Sequence, residues 1–366
     1  MLDGSPAASS DHFDALAGGS AAYWDPEAED ELVCRALRDE THDVRTFILA
    51  APSGRPFRYE PGQFLTFEFD IGGAAVSRCY TMSSTPTRPH LVSITVKRVP
   101  GGEVSEWLHR TVRPGTRLRT AGFTGGFTCT AHPAPRALYL SGGSGVTPLM
   151  SMARAHDDLA SDADIVFLHA ARTPADIIFR AELELMARHR EGFRFVPVCE
   201  RDTPREPWHG LRGRISADML RLAVPDFTGR EVFTCGPAPF MAAVRAVLGG
   251  AGYDMRRYHE ESFEFGEPEP PAPEAGIPQV GFTVEFAKSG VSVQCEAGTS
   301  VLAAARAAGL RLPYACTKGV CGTCKSRVVS GRVDMQHGGG IRQREIDAGM
   351  ALLCCSRPLT DLVIDR

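Results

Sequence analysis

The sequence predicts a protein of three domains: a small antiparallel β-barrel, a doubly wound parallel α/β sheet and a compact α+β module. Three observations support this fold class. Short alternating apolar runs begin near residue 32, strand and helix patterns alternate from about residue 135, and a Pro- and Glu-rich run separates off the last part. A chain of 366 residues also exceeds what one hydrophobic core usually organises.

These observations divide the chain into a flexible extension, a barrel, an α/β domain, a linker and a final module. The flexible extension is expected at 1–31, the barrel at 32–134 and the α/β domain at 135–266. The linker is expected at 267–278 and the final module at 279–366.

The barrel is predicted from period-two patterns such as 64–69 and 91–96. Turn signals, among them Pro61-Gly62 and Pro114-Gly115, separate these patterns. Many short strands with regular breaks are typical of a small antiparallel barrel.

The α/β domain is predicted from buried strands that alternate with helices. Strands are expected at 137–140, 165–168 and 195–198, with helices at 147–159 and 181–190. This alternation indicates a doubly wound parallel sheet.

The linker and the final module are predicted from a change in composition. Alternating Pro and Glu over 267–274 cannot build a core and favours an extended spacer. The module then begins with a period-two strand at 281–286. A short helix is expected at 300–308, with Ser300 as its N-cap and Gly309 as its stop.

Composition and charge exclude several other functions. The formal net charge of -4 gives no reason to expect nucleic acid or a membrane surface as a partner. No apolar run approaches the ~20 residues of a membrane-spanning helix, and the first twenty residues do not resemble a secretory signal. Because five of the eleven cysteines crowd the last fifty or so positions, metal binding in a reducing cytoplasm is expected.

Four cysteines of the last domain have the spacing of an iron–sulfur site. They follow the pattern C-x4-C-x2-C with a distant fourth: Cys316, Cys321, Cys324 and Cys354. This spacing resembles that of plant-type ferredoxins, which implies a β-grasp fold and a [2Fe–2S] cluster held by four thiolates. A zinc site is the alternative, although zinc ligands usually come as C-x2-C or Cys/His pairs.

Cys354 and Cys355 are adjacent candidates for the fourth ligand. In plant-type ferredoxins the last ligand precedes a proline by four positions, and Pro358 follows Cys354 by four. The resemblance therefore implies Cys354. Adjacent strand residues point to opposite faces, so Cys355 is expected to point away from the cluster.

A second group of motifs resembles the flavin site of the ferredoxin–NADP reductase superfamily. Residues 78–84 match its R-x-Y-[ST]-x-x-S signature, and 97–105 look like its second flavin element. The resemblance implies that Arg78 clamps the FAD pyrophosphate, Tyr80 stacks on the isoalloxazine and Thr81 hydrogen-bonds flavin N5. Backbone amides at a helix start would hold phosphate oxygens. The flavin residues so implied are Arg78, Tyr80, Thr81, Ser83, Lys97, Gly102, Val104 and Ser105. The alternative makes Tyr80 a core residue and Arg78 a surface charge.

The loop at 141–148 lies between a strand and a helix and carries G-x-G-x-x-P. Its members are Gly143, Gly145 and Pro148, with Thr147 as a possible cap and Pro148 suited to the first helical position. Such a loop places a helix N-terminus against a dinucleotide pyrophosphate.

Two further elements follow by resemblance to the same superfamily. In Cys235-Gly236-Pro237, the thiol would lie beside the nicotinamide carbon that gives up hydride. Phe263, which ends the nucleotide domain, would cover the flavin face. The alternative for Cys235 is a buried structural thiol, and the alternative for Phe263 is ordinary strand packing.

The order barrel, nucleotide domain and ferredoxin resembles that of the reductase components of two-component Rieske oxygenases. The likeness is greatest to the glycine betaine and other quaternary-ammonium demethylases. It implies an NADH-dependent oxidoreductase that passes electrons through FAD and a [2Fe–2S] cluster to an oxygenase component. The NADH oxidoreductase that serves hybrid-cluster protein has the same domain order, and a stand-alone diaphorase is an alternative of another class. NADPH stays possible because Arg172 lies where a 2′-phosphate would be bound.

Basic residues surround the cluster loop, among them Lys318 and Lys325. Charge complementarity raises encounter rates, so they predict docking on an acidic patch of the oxygenase component. Ordinary solvated charges are the alternative.

Overall fold

The computed structural model describes residues 23–263, 281–310, 312, 314, 317, 319 and 322–366. The first domain is an antiparallel sheet in the order β4-β3-β6-β1-β2-β5. Its elements are β1 (Glu31–Asp39), β2 (Val44–Ala50), β3 (Phe64–Ile71), β4 (Ala74–Thr81), β5 (Val92–Lys97), α1 (Glu103–Thr111) and β6 (Arg117–Thr124). A bridge between Met82 and Ile94 joins the end of β4 to β5, which closes the predicted barrel.

The segment just before the barrel is ordered, in contrast to the flexible extension expected over 1–31. Trp24 is only 6% exposed, and its ring packs edge-on against Phe57 and Phe123 at 5.4 and 5.7 Å. The Trp24 amide also donates to the Pro56 carbonyl at 2.9 Å. Burial of the indole stabilises this segment, and Trp24 is part of the barrel core. Residues 1–22 lie outside the described residues.

The second domain is the predicted parallel sheet, in the order β10-β9-β8-β7-β11-β12. Its strands are β7 (Arg136–Gly142), β8 (Asp164–Ala171), β9 (Phe193–Cys199), β10 (Leu211–Arg212), β11 (Glu231–Cys235) and β12 (Tyr258–Glu261). Its helices are α2 (Val146–Asp158), α3 (Arg180–His189), α4 (Ala217–Ala223) and α5 (Ala238–Gly250), with 3-10 turns at Gly143–Gly145, Pro174–Asp176, Phe227–Gly229 and Met255–Arg257. The strand order reverses between β7 and β11, which places a ligand crevice at their carboxyl ends.

The third domain has a mixed five-stranded sheet, β14-β13-β19-β15-β17, and a small β16-β18 ladder. Its elements are β13 (Gly281–Phe286), β14 (Val291–Glu296), α6 (Val301–Ala307), β15 (Lys325–Ser330), β16 (Val333–Met335), α7 (Gln343–Asp347), β17 (Met350–Leu352), β18 (Ser356–Pro358) and β19 (Leu362–Ile364). The Ser300 hydroxyl accepts from the Ala303 amide and Gly309 has a φ of 83°, so the predicted cap and stop of α6 are confirmed. The predicted linker, 267–278, falls outside the described residues.

Each domain has its own apolar core. Phe47 and Phe67 belong to the barrel core, Tyr139 and Phe167 to the nucleotide domain, and Phe286 to the last module. In the part of the chain that the structure describes, no helix is long and apolar enough to span a membrane.

Candidate functional site

The candidate site lies where the barrel meets the carboxyl ends of β11 and β12. Cys235, the last residue of β11, is in register with Glu261 of β12. Thr81, at the end of barrel strand β4, donates from Oγ1 to Glu261 Oε2 at 3.3 Å. This contact brings together Thr81 and Cys235, two of the predicted catalytic residues, from two domains. Phe263 follows Glu261 by two positions and is 39% exposed.

Glu261 is a site residue that the sequence interpretation did not single out. Burial raises its pKa to about 8, and the Thr81 hydroxyl opposes this rise. Burial, reinforced by the Glu261 carboxylate, also raises the pKa of the Cys235 thiol well above its usual range. At neutral pH the crevice therefore presents an uncharged thiol and a largely protonated carboxyl. The one feature of the sequence that could have pointed to Glu261 as a site residue is its position two residues before Phe263.

Glu261 is expected to make stability fall as the pH rises. Between its ordinary pKa of 4.5 and its raised value of about 8, the folded state binds more protons than the unfolded state. The FAD-loaded protein should therefore lose up to about 1.4 kcal/mol of unfolding free energy per pH unit across this window, relative to Glu261→Gln. Denaturant unfolding at several pH values measures this difference. Glu191→Gln, at an exposed position of the same domain, is the control and should parallel the natural protein. If the unfolding free energy of Glu261→Gln also changed with pH in parallel with that of the natural protein, the pKa of the Glu261 carboxyl would not be raised.

The glycine loop packs directly on the strand end that carries Cys235. A Cβ atom at Gly145 would lie 2.3 Å from the Cys235 carbonyl oxygen, so only glycine fits there. Helix α2 begins at Val146 with Gly145 as its N-cap, and the Thr147 hydroxyl donates to the Ser144 carbonyl at 3.2 Å. The predictions of Thr147 as cap and Pro148 as first helical residue were therefore wrong, because the 3-10 turn moves the helix start. The helix N-terminus still lies against the carboxyl end of β11, because its N-cap Gly145 packs on Cys235.

The second predicted flavin element forms the start of α1. Gly102 is the N-cap, and its own amide donates to the Val99 carbonyl at 2.9 Å. Helix geometry leaves the Val104 and Ser105 amides without intrahelical acceptors, so these can face a phosphate, whereas the Gly102 amide is already used. Lys97 pairs with Asp43 at 3.1 Å.

The first predicted flavin element lies on β4. Arg78 is exposed, and its Nη1 donates to the neighbouring Ser77 carbonyl. Tyr80 is partly buried with its ring 6.2 Å from that of Phe67, and burial raises the pKa of its phenol. An exposed guanidinium and a half-covered ring suit a flavin diphosphate and ring, so the residues present fit FAD.

Ser83 departs from the flavin prediction. It is fully buried, and its hydroxyl shares hydrogen bonds with the Ser93 and Thr95 hydroxyls at 3.0 and 2.8 Å. Its side chain is thereby used inside the barrel, so a contact of Ser83 with the cofactor, which stays a prediction, would have to come from its backbone.

The described part of the cluster loop fits an iron–sulfur site. The Cys354 amide donates to Cys324 Sγ at 3.4 Å, and both cysteines are buried. Amide donors to sulfur are typical of [2Fe–2S] sites. Thr317 and Gly319 have φ angles of 55° and 69°, which curls the loop tightly. Cys316 and Cys321 lie outside the described residues.

Cys355 occupies different surroundings from Cys354. Its thiol donates to the Leu352 carbonyl at 3.6 Å. A Cβ atom at Gly319 would lie 2.8 Å from Cys355 Sγ, so this thiol packs against the cysteine loop. Cys354 and Cys355 lie in the turn between β17 and β18, so the strand alternation from which Cys355 was expected to point away does not apply here. The choice of Cys354 as the fourth ligand stays a prediction.

The last module docks on the barrel through buried charges. Lys325 Nζ lies 2.7 Å from Glu68 Oε1 of β3 and 2.8 Å from Glu345 Oε1 of α7. Although burial opposes ionisation, hydrogen bonds from Arg342 and Lys325 lower the pKa of Glu345 to about 2. Because the Lys325 side chain is only 12% exposed, its predicted role in docking on another protein was wrong. Lys318 lies outside the described residues.

The cluster loop itself faces the barrel. A Cβ atom at Gly322, in the cysteine loop, would lie 3.7 Å from Thr66 Cγ2, and one at Gly339, in the neighbouring segment before α7, would lie 2.8 Å from Thr124 Oγ1. Arg342 reaches Asp30 at 3.3 Å, so the ordered segment before β1 also holds the module. The loop that carries the cysteines is thus placed against the domain that carries the flavin motif.

Reversing the charge of Lys325 is expected to impair electron transfer to the cluster. Lys325→Glu puts a third carboxylate beside Glu68 and Glu345, and close charge pairs contribute about 1.5 kcal/mol or more to docking. Cytochrome c reduction should fall about tenfold, while ferricyanide reduction at the flavin should not change.

The paired variant Glu68→Lys/Lys325→Glu should recover part of this loss, and the exposed Arg332→Glu is the control. Unchanged cytochrome c reduction in Lys325→Glu would mean that this docked arrangement does not support transfer.

Comparison with known proteins agrees with the three domains. The chain matches the oxidoreductase FAD-binding domain over 33–129, the oxidoreductase NAD-binding domain over 139–246 and the 2Fe-2S iron-sulfur cluster binding domain over 284–359. The predicted fold class and cofactor set are thereby confirmed.

Two relatives match almost the whole chain. The glycine betaine monooxygenase reductase subunit of Pseudomonas aeruginosa is 45% identical, over 91% of this chain and 94% of its own. The stachydrine N-demethylase reductase subunit of Rhizobium meliloti is 42% identical, over 94% and 98% respectively. The solved structure of phthalate dioxygenase reductase has the same fold, with a TM-score of 0.55 and 23% identity over 93% of this chain and 98% of that one.

Proposed function

The chain belongs to the family of FAD- and [2Fe–2S]-dependent reductase subunits that serve demethylating oxygenases, and from this premise we propose that it supplies electrons from NADH to a Rieske-type oxygenase component. The substrate of that oxygenase would be glycine betaine or a similar quaternary amine. The single observation that carries the proposal is the likeness of the whole chain, all three domains in one order, to these reductase subunits.

The chain's own residues would prepare the two transfer steps. When bound, FAD accepts two electrons from a nicotinamide and releases them singly, which is the chemistry that the cluster requires. The Gly145 turn and the α2 N-terminus would hold the nicotinamide dinucleotide beside Cys235, Gly236 and Pro237. Thr81, held by Glu261, would orient the flavin edge, and Phe263 would cover its face.

The four thiolates of Cys316, Cys321, Cys324 and Cys354 would hold the cluster. Docking through Lys325 and Arg342 holds the last module against the barrel and would keep the cluster close to the flavin. The thiol-rich loop also supports a cytoplasmic location, because a reducing compartment keeps these cysteines available for iron.

Reconstitution tests the proposed partner. The purified reductase is mixed with the oxygenase component of a glycine betaine or a stachydrine demethylase, and NADH-dependent formaldehyde release is measured. We expect turnover that needs all three of reductase, oxygenase and NADH. Reduction of hybrid-cluster protein without turnover of either oxygenase would favour the alternative partner. Activity with small acceptors alone would favour a diaphorase.

The coenzyme is expected to be NADH rather than NADPH. Asp176 follows β8, the strand whose end binds the adenosine ribose in such domains, and it accepts a hydrogen bond from Thr173 at 2.6 Å. A carboxylate there favours ribose hydroxyls and repels a 2′-phosphate, although Arg172 is exposed nearby. The kcat/KM with NADH should exceed that with NADPH by roughly tenfold or more, about 1.4 kcal/mol. Asp176→Ala should narrow this ratio. Equal efficiencies in the natural protein would make Arg172 a phosphate ligand.

A further inference from the structure

A cluster of metal-ligating side chains lies on the nucleotide domain away from the crevice. His132 comes from the connector between β6 and β7, Glu231 begins β11 and His259 is the second residue of β12. One ligand atom of each of the three lies within 4.8 Å of the others. The His132 and His259 rings stack at 3.7 Å, and His259 Nε2 lies 2.6 Å from Glu231 Oε1.

This cluster is separate from the site described above. Strand β11 runs from Glu231 to Cys235, so the cluster is at the amino-terminal edge of the sheet and the crevice at the carboxyl edge. Four residues of a strand span about 13 Å. Neither the hydride path nor the cysteine loop uses these three residues.

The donor set has the chemistry of a transition-metal site. Two imidazoles and one carboxylate suit zinc and its neighbours, and three protein ligands leave a fourth position for water. Arg257 supports the carboxylate from behind, because its Nε lies 3.2 Å from Glu231 Oε2 while its Nη2 donates to the Gly229 carbonyl. Glu231 Oε1 is thereby directed toward the histidines.

The two histidines differ in how firmly the backbone around them is held. His259 is fixed in a strand and paired with Phe233 of β11. Two parallel rings cannot both direct an in-plane lone pair at one ion, so His132 must turn out of the stack. Its position in the connector, outside any strand, allows this turn.

We propose that His132, Glu231 and His259 bind one divalent transition-metal ion of the zinc class. The ion would tie the connector after the barrel to strands β11 and β12. Its role is structural, because it would bind the connector to strands that His132 otherwise contacts through the rings of His259 and Phe233.

Equilibrium dialysis of the oxidised holoprotein against Zn²⁺ tests this site. Iron is measured in the same samples, so that zinc displacing the cluster is recognised by loss of iron. We expect one zinc beyond the background in the natural protein and in His90→Ala, an exposed histidine of the barrel. This zinc should be lost in His132→Asn and in Glu231→Gln. Zn²⁺ should also raise the thermal unfolding midpoint of the natural protein and not that of His132→Asn.

Equal zinc content in the natural protein and in His132→Asn, at equal iron content, would overturn the proposal. FAD content and NADH–ferricyanide activity report whether His132→Asn is correctly folded, so loss of zinc through misfolding is recognised.

Discussion

Cys354→Ser is expected to remove the [2Fe–2S] cluster and to stop electron delivery to protein acceptors. Cys354 is buried beside Cys324, and its amide donates to the Cys324 sulfur. Loss of one of four thiolates leaves the cluster without a complete ligand set. Iron and labile sulfide should fall to background, and cytochrome c reduction should be lost. NADH oxidation with ferricyanide should persist, because the flavin site lies in another domain.

Cys355→Ser is the matched control for this experiment. The Cys355 thiol donates to the Leu352 carbonyl, and serine can make the same hydrogen bond. Iron content and cytochrome c reduction should therefore stay close to those of the natural protein. A variant pair with the opposite behaviour, cluster lost in Cys355→Ser and kept in Cys354→Ser, would reverse the ligand assignment.

Removing the last module is expected to separate the two halves of the activity. A protein ending at Glu274 should bind FAD and oxidise NADH with ferricyanide, but it should lose nearly all cytochrome c reduction. The barrel and nucleotide cores are built without apolar residues of the last module. Truncation removes ion pairs such as Glu68–Lys325 and leaves the acids exposed to water, where they are easily solvated.

FAD content, ferricyanide activity and cytochrome c activity of the truncated protein are compared with those of the intact chain. Inability to retain flavin would show that the last module completes the flavin fold. Undiminished cytochrome c reduction would show that the cluster is not on the path to protein acceptors.

Local patterns in the sequence were sufficient for the three domains and their order. Period-two runs, the strand–helix alternation and the Ser300 cap depend on neighbouring residues, and the structure confirms them. The crevice was also predictable in outline, because Cys235 and the glycine loop each end a strand of a parallel sheet.

Contacts between distant segments were not predictable in this way. Lys325 and Glu68 are 257 residues apart, and a lysine buried between two domains has the same local sequence signal as an exposed one. Glu261 acquires its raised pKa only through burial against the barrel. Trp24 is ordered because Phe57 and Phe123 enclose it, although its own segment has no strand or helix pattern.

In the electron path proposed for this chain, FAD lies between NADH and the [2Fe–2S] cluster. Rapid anaerobic mixing with NADH, followed by electron paramagnetic resonance of the reduced cluster, tests it most directly. The same protein is measured with FAD bound and after FAD has been removed, at equal iron content. We expect the cluster to be reduced only when FAD is bound, and its reduction to recover when FAD is added back. Cluster reduction at the same rate in the FAD-free protein would contradict it.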